Sequence, residues 1–206
     1  ASVLSAAISG MEVCPVQVEA DVSSGLPCFT MVGFPSTQVK EAQDRVRTAL
    51  KNNGISLPPK KVTVNLAPAD LRKEGAGFDL PVAAAVLAAS GFIEPQLLRN
   101  VMVVGELSLN GEVRSVSGVL PRVIRARELG CRYCIIPFEN LAEGALVKDM
   151  KSGRSSKYKR SFEACLRSGC IWKEISFQRK FRRESGRRES VGFRGNLWSG
   201  ECQKSC

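Results

Sequence analysis

The order of the predicted elements indicates a layered α/β domain with a mixed β-sheet. Three short strand patterns come first in the sequence, and strands and helices alternate after them. Grouped strands followed by alternating strands and helices are typical of one sheet with helices packed against it. We therefore expect strands of both directions in the same sheet.

The first quarter of the chain predicts three strands and one helix. Apolar alternation predicts strands over residues 3–10, 13–22 and 28–32. Ser36 is placed to cap a helix that ends at Asn52-Asn53-Gly54. The polar face of this helix carries both signs of charge, which is typical of a solvated surface. A contact with a subunit or with nucleic acid is the alternative.

Residues 62–91 predict a buried strand, a loop and an apolar helix. Val62, Val64 and Leu66 alternate with polar residues, and Pro68 cannot continue a strand ladder. Residues 70–78 are charged and contain glycine, so they are expected at the surface. Asp79 is expected to cap the helix that follows. That helix is apolar at nearly every position, so it is predicted to be buried on most sides.

The next part predicts two core strands around a hairpin and a helix. Residues 101–104 and 133–136 have the composition of buried strands, and Asn110-Gly111 predicts a tight hairpin turn. Ser117-Gly118 leads into a helix that Gly130 ends. The predicted polar face of this helix consists of Arg122, Arg125 and Glu128.

The positive charge of the chain lies at its C-terminal end. The formal net charge is +10, yet residues 1–150 hold equal numbers of basic and acidic residues, so residues 151–206 carry the whole excess. Those residues show no helical or strand period, and they combine basic residues with Trp172, Trp198 and four cysteines. We expect an ordered domain over residues 1–148 and a basic tail without a predicted fold over residues 149–206. Such a tail suggests out-of-frame translation, and a basic nucleic-acid-binding tail is the alternative.

Four cysteines lie in the domain, and no histidine occurs in the chain. Cys14, Cys28, Cys131 and Cys134 have apolar, strand-like surroundings, so we expect reduced core thiols. The spacing of Cys131 and Cys134 also matches a CxxC motif, which leaves a metal or redox site as the alternative. No apolar run approaches the roughly 18 residues of a membrane span. No signal peptide is apparent, and a cytoplasmic protein is expected.

Four segments together resemble a known family over residues 2–148. The family is that of the magnesium-chelatase-like AAA+ ATPases, which includes YifB and competence protein ComM. The resemblance implies a Lon-like domain with the ribosomal protein S5 domain 2-like fold. The segments are VLSAAISGMEVCPVQVEADVSSG, LPCFTMVGFPSTQVKEAQDRVRTALKNNG, VTVNLAPADLRKEGAGFDLPVAAAVLAASG and VVGELSLNGEVRSVSGVLPRVIRARELGCRYCIIPFEN.

The resemblance to Lon proteases also implies where catalytic residues would lie. Those enzymes use a serine nucleophile and a lysine that takes its proton. The serine's place in the matching run is held by Gly77, and the lysine's place is held by Leu120. Glycine cannot attack, and a serine without a base is a poor nucleophile. Ser115, Ser117 and Lys73 match no catalytic position, so we expect no catalytic residues; residual peptidase activity is the disfavoured alternative.

The remaining candidate site is the loop that contains the family's characteristic run. Asp70, Arg72, Lys73, Glu74 and Gly75 form a solvated loop or a contact with a neighbouring subunit or with DNA, in which Arg72 and Lys73 would bind phosphates or carboxylates.

The resemblance implies that ATP and Mg²⁺ belong to an AAA+ module. The dipeptide Gly-Lys of a phosphate-binding loop does not occur in this sequence, so no cofactor is expected in this chain. The expected role is therefore a non-catalytic interaction or regulatory domain of a ComM-like DNA branch-migration helicase, truncated before the ATPase module. The expected partners are AAA+ subunits in a hexamer, with DNA as a possible partner.

Overall fold

A computed structural model describes residues 1–147 and 175–177. Nine strands occur in these ranges: β1 Ser2–Ser9, β2 Glu12–Ser23, β3 Cys28–Val32, β4 Lys61–Ala67, β5 Val101–Val103, β6 Glu106–Leu107, β7 Val113–Arg114, β8 Tyr133–Pro137 and β9 Ile175–Phe177. The α-helices of the same ranges are α1 Thr37–Lys40, α2 Ala42–Asn52, α3 Asp79–Ala89, α4 Val119–Glu128 and α5 Leu141–Gly144. Short 3-10 turns cover Ala76–Phe78, Pro95–Leu98 and Phe138–Asn140.

The main sheet is mixed, which confirms the predicted fold class. Its strand order is β3-β4-β2-β1-β5-β8-β9. The pairs β1–β2, β2–β4 and β8–β9 are antiparallel, whereas β3–β4, β1–β5 and β5–β8 are parallel. A hairpin forms here as predicted, as a separate pair of strands, β6 and β7, but residues 108–112 connect the strands instead of a two-residue turn at Asn110-Gly111.

Helices pack on both faces of the sheet. Alternation along β5 sends Val101 and Val103 into the core that contains α2 and α3, while Met102 packs on the other face with α4. As predicted, α3 is buried on nearly every side: all of its residues from Asp79 to Ala88 are buried. This helix therefore forms the centre of the larger core.

The helix predicted after Ser36 is interrupted. Ser36 caps α1 through its side chain, which accepts a hydrogen bond from the Val39 amide, as expected. The first helix ends at Lys40, Glu41 separates the two helices, and α2 begins at Ala42. The apolar spacing continues across this break, so the sequence pattern reads as one helix.

The prediction for Asp79 is wrong, because this residue is not a capping residue. It is the first residue of α3, its carboxylate makes no cap bond there, and its side chain is fully buried. The Asp79 carboxylate accepts hydrogen bonds from Nε and Nη2 of Arg45, at 2.7 and 2.9 Å, and from the Leu107 amide at 3.1 Å. One buried carboxylate thus ties α2, α3 and β6 together.

The basic tail enters the description only through β9. The backbone of this strand pairs with β8, with Ile135 opposite Phe177. Residues 148–174 and 178–206 lie outside the described residues, so the domain division at residue 148 stays a prediction.

Replacing Arg45 with Met is expected to lower the free energy of unfolding by about 3 kcal/mol at neutral pH, because it leaves a buried carboxylate without its charge partner. Burial raises the pKa of Asp79, and the Arg45 guanidinium and the Leu107 amide oppose that rise. Without Arg45 the folded-state pKa rises further. A carboxyl whose folded-state pKa exceeds its unfolded value loses stability as pH rises through that window. The loss of unfolding free energy caused by Arg45→Met should therefore be largest at neutral pH and become smaller towards pH 4, as measured by urea titrations.

The matched control is Glu41→Gln, because Glu41 is exposed and also pairs with Arg45, at 3.3 Å. That change should cost less than about 0.5 kcal/mol at either pH. An Arg45→Met deficit of equal size at pH 7 and pH 4 would contradict a buried, charge-dependent role.

Candidate functional site

The candidate contact loop places three charged side chains in solvent. Asp70, Arg72 and Glu74 are exposed, and Arg72 Nε lies 3.1 Å from a Glu74 carboxylate oxygen. Both members of that ion pair are more than half exposed, so the pair adds little stability. The loop surface therefore offers two carboxylates and one guanidinium, not a cluster of positive charge.

Lys73 corrects the prediction of a solvated loop. This residue is fully buried, and its ammonium donates hydrogen bonds to the carbonyls of Pro68 and Gly33, the latter at 2.9 Å. Burial lowers the pKa of Lys73, and Asp70 partly offsets that effect. The Lys73 ammonium is bound by the protein's own carbonyls, so it is not presented at the loop surface, and the predicted contact with a phosphate or carboxylate partner stays a prediction.

The backbone of Lys73 also ties two loops together. The Ser36 amide donates to the Lys73 carbonyl at 2.9 Å, and the Lys73 amide donates to the Phe34 carbonyl at 3.3 Å. Phe34 has a φ of 57° and a side chain that is 57% exposed. A left-handed conformation is uncommon for a bulky residue, so the surrounding bonds must hold it. Hydrogen bonds of the buried Lys73 therefore fix the shape of the exposed loop.

The two glycines of this loop have different roles. Gly75 has a φ of 81°, a backbone conformation that favours glycine. Gly77, the position matched to the serine nucleophile, is not in that region. A Cβ atom on Gly77 would lie 3.7 Å from Val104, 3.8 Å from Val116 and 4.0 Å from Nη2 of Arg122. The space above Gly77 is thus lined by two valines and a guanidinium.

Arg122 is a site residue whose position was predicted wrongly from the sequence. The prediction put it on the solvent face of α4, yet it is buried. Its Nε donates to the Ala6 carbonyl at 3.1 Å, and Nη1 donates to the Ser117 carbonyl at 2.5 Å. Burial lowers the pKa of Arg122, and Glu143 opposes that shift. The burial of Arg122 could have been predicted from helical spacing, because position 122 lies on the same helix face as the buried Val119 and Ala126.

Leu120, the position matched to the dyad lysine, lies in the first turn of α4. Its amide donates to a Glu143 carboxylate oxygen at 2.8 Å. The Val116 amide donates to Asn140 at 3.0 Å, and the Ser115 amide donates to Glu139 at 3.3 Å. Side chains from residues 138–144 therefore occupy the backbone donors around this position.

The two positions matched to the catalytic dyad carry neither a nucleophile nor a base. Gly77 offers no hydroxyl, and Leu120 offers no amine. Lys73 donates to two carbonyls in a buried environment, so its amine is not directed at a serine. Arg122 approaches the Gly77 position, but a guanidinium does not act as a base near neutral pH. These groups can position and pack the loops, or contact a partner, but they cannot generate an alkoxide.

The CxxC pair supports the prediction of core thiols. Cys131 and Cys134 are free and buried against α4, and burial raises the pKa of both, that of Cys134 to about 12. Both thiols are therefore protonated at neutral pH and suited to packing. Cys14 and Cys28 are only partly buried, so they are not core thiols. Within residues 1–147 and 175–177, no three Cys, Asp or Glu side chains are grouped as metal ligands.

Among the described helices, none combines the length and the apolar character that crossing a membrane requires.

Replacing Arg122 with Met should lower the free energy of unfolding by about 2 kcal/mol, because buried carbonyls lose a charged donor. Chemical denaturation measures this loss. Arg125→Met on the same helix is the matched control, since Arg125 forms a partly exposed pair with Glu128 and should cost less than about 0.5 kcal/mol. Equal costs for the two variants would contradict a special role for Arg122.

Comparisons with known proteins show which family this sequence resembles. Residues 18–140 match a family model for the subunit ChlI of Mg-chelatase. The chain is 46% identical to competence protein ComM of Haemophilus influenzae over 152 residues, which covers 74% of this chain and 30% of ComM. It is 48% identical to the uncharacterized protein YifB of Salmonella typhimurium over 138 residues, covering 67% of this chain and 27% of YifB.

A more distant similarity supports the Lon-like fold. The chain is 29% identical to Lon protease 2 of Bacillus subtilis over 114 residues, which covers 55% of this chain and 20% of the protease. The chain spans less than a third of the length of these relatives. Because the ChlI match extends over more than half of the sequence, the chain belongs to the Mg-chelatase subunit ChlI family and is of its ComM and YifB type.

Proposed function

We propose that this chain provides a non-catalytic interaction domain in a ComM-like protein. The observation that carries the proposal is the composition of the Lon-like site. Gly77 and Leu120 stand at the two dyad positions, and the buried Arg122 guanidinium packs against the Gly77 position. Because Arg122 packs against the place of the nucleophile, the domain acts through contacts at its surface.

The loop around Arg72 and Glu74 is the proposed contact surface. Lys73 holds this loop rigid from inside the protein, so little conformational entropy is lost when a partner binds. Asp70, Arg72 and Glu74 present both signs of charge, a pattern that fits a protein surface better than a polyanion. The proposed partner is a neighbouring subunit of the same assembly.

The same proposal includes a cellular role and an assembly, both of which are based on the relatives. One relative carries the name competence protein ComM, which refers to competence. We propose a corresponding role in competence and DNA recombination, in the cytoplasm and in a hexameric AAA+ assembly. ATP and Mg²⁺ would then be bound by the AAA+ module of that assembly, and this domain would contact its subunits.

A fluorophosphonate probe tests the non-catalytic assignment. Neither the wild-type chain nor the Gly77→Ser variant should be labelled, because no described residue near position 77 can deprotonate a hydroxyl. The variant should fold normally, since a Cβ at this position meets only ordinary van der Waals contacts. Labelling is read by mass spectrometry, with an active serine protease as the positive control.

Stoichiometric labelling of a wild-type serine, such as Ser115 or Ser117, would overturn the assignment and favour a residual peptidase. A loss of that labelling after heat denaturation would confirm that the reactivity belongs to the folded protein. Unspecific labelling would survive the same treatment.

A second candidate function is nucleic-acid binding through the basic tail. The observation that favours it is the +10 net charge, all of which comes from residues 151–206. Affinity that comes from phosphate neutralisation falls steeply with salt, because each contact releases counterions.

Replacing Arg182, Arg183, Arg187 and Arg188 together with Gln tests this second candidate. If the tail binds DNA, the slope of log affinity against log salt should decrease by about 0.9 for each duplex phosphate that the variant no longer neutralises. Fluorescence anisotropy with labelled duplex DNA measures the slope. The matched control replaces four exposed basic residues of the domain: Lys40, Arg47, Lys51 and Lys60. A larger effect of the control would assign the binding to the domain instead.

A further inference from the structure

Arg122 carries a buried positive charge that is in contact with neutral groups. Only 7% of this residue is exposed. Its Nε and Nη1 groups donate hydrogen bonds to the backbone carbonyls of Ala6, Ser117 and Gly118. Within the described part of the chain, no carboxylate forms an ion pair with the guanidinium. Charged groups at this depth are normally paired with an opposite charge or engaged by a ligand.

The carboxylate that acts on Arg122 electrostatically is engaged elsewhere. One oxygen of Glu143 accepts from the Leu120 amide at 2.8 Å, and the other accepts from the side-chain amide of Asn140 at 3.2 Å. Burial lowers the pKa of Arg122, and the charge of Glu143 opposes that shift without a direct bond. A carboxylate in contact with the guanidinium is therefore still missing.

The remaining nitrogen of the guanidinium, Nη2, faces the Gly77 position. Its hydrogen-bonding capacity is not used by any described residue. A Cβ atom on Gly77 would lie 4.0 Å from Nη2 and at ordinary van der Waals distances from Val104 and Val116. Gly77 and Val116 are only partly buried, so the space above the glycine is open to solvent. A small group that enters this space meets a free N–H donor.

Gly77 also lies at the N-terminal end of a helical run. It belongs to the 3-10 turn Ala76–Phe78, which continues directly into the eleven residues of α3. Amides of a first helical turn have no partner inside the helix, and they favour a negatively charged group. The guanidinium and the start of this helical run therefore both attract an anion to the same place.

We propose that the space above Gly77 is a binding site for a carboxylate group, which accepts a hydrogen bond from Nη2 of Arg122 while its carbon atoms pack between Val104 and Val116. The apolar walls suit a methyl or methylene group, and a guanidinium is the donor that best matches a carboxylate. A phosphate dianion fits less well, because Glu143 already places one negative charge close to Arg122.

This site goes beyond the proposed interaction role and does not depend on it. Under that role, the carboxylate belongs to an Asp or Glu side chain of a neighbouring subunit, and a free small carboxylate is the other source. Fluorophosphonate labelling tests hydroxyl chemistry at this place, whereas carboxylate binding tests the guanidinium. Either result can fail without the other.

The test titrates the full chain with sodium acetate and follows it by NMR. The signals of the Gly77 amide and of the Arg122 Nε–H group should shift saturably, with a dissociation constant of about 1–10 mM, as expected for so small a ligand. Sodium chloride at the same ionic strength and neutral acetamide should give no saturable shift of these signals. A titration that does not saturate by about 100 mM acetate would overturn the proposal, because that affinity is too weak for a specific site.

Two variants test whether these residues form the site. Arg122→Met should abolish acetate binding. Gly77→Asp should raise the dissociation constant at least about tenfold, because its own carboxylate takes the place of acetate, and it keeps the test decisive if Arg122→Met does not fold. Arg125→Met is the matched control and should leave acetate binding unchanged, since Arg125 pairs with Glu128 at the surface. Unchanged binding in a variant at position 122 or 77 that circular dichroism shows to be folded would overturn the proposal.

Blocked amino acids identify the source of the carboxylate. N-acetyl-glutamate methylamide carries its one carboxylate on the side chain, and N-acetyl-glutamine methylamide is its neutral control. The glutamate probe should bind at least as tightly as acetate if a partner's side chain is the ligand, whereas binding of acetate alone assigns the site to a free small carboxylate. Inorganic phosphate that shifts the same signals at lower concentration than acetate would overturn the choice of a carboxylate.

Discussion

Three buried charged side chains determine the shape of the loops around Gly77. Burying a charge costs several kcal/mol unless the fold supplies partners for it. Lys73 donates to two carbonyls, Asp79 accepts from Arg45 and from the Leu107 amide, and Arg122 donates to carbonyls of β1 and of the segment before α4. Each charge thus fixes the distance between two or three elements, and the loops between them cannot vary independently.

The same constraint applies around Gly77 and Leu120, the two positions that the Lon comparison matches to a catalytic dyad. A hydrolase needs a hydroxyl and a base that can exchange a proton between them. Here the cationic group near Gly77 is a guanidinium, which stays protonated and is held by carbonyls. Glu143 binds the Leu120 amide at the start of α4 and also compensates the Arg122 charge. The Arg122 charge is therefore compensated within the fold, by carbonyls and by Glu143.

Much of the fold could be predicted from the sequence, because local patterns determine it. The hairpin around Asn110-Gly111, the apolar run of α3 after Asp79 and the alternating β4 were each visible as a turn signal or a period. The candidate site was less predictable. Lys73 and Asp79 are charged residues, and partners distant in the sequence explain their burial: Gly33 for Lys73, and Arg45 with Leu107 for Asp79. Arg122 differs, because its helical position already indicated the buried face.

Phe34 follows β3 in the chain and is bonded to the loop that carries Arg72 and Glu74. Its backbone bonds to Lys73 hold the loop that carries Arg72 and Glu74, and its side chain extends the apolar edge of β3. A left-handed, exposed aromatic residue is unfavourable both for the backbone and for hydration, so it persists where the surrounding structure imposes it. Here the buried Lys73 holds Phe34 in this conformation through a backbone hydrogen bond.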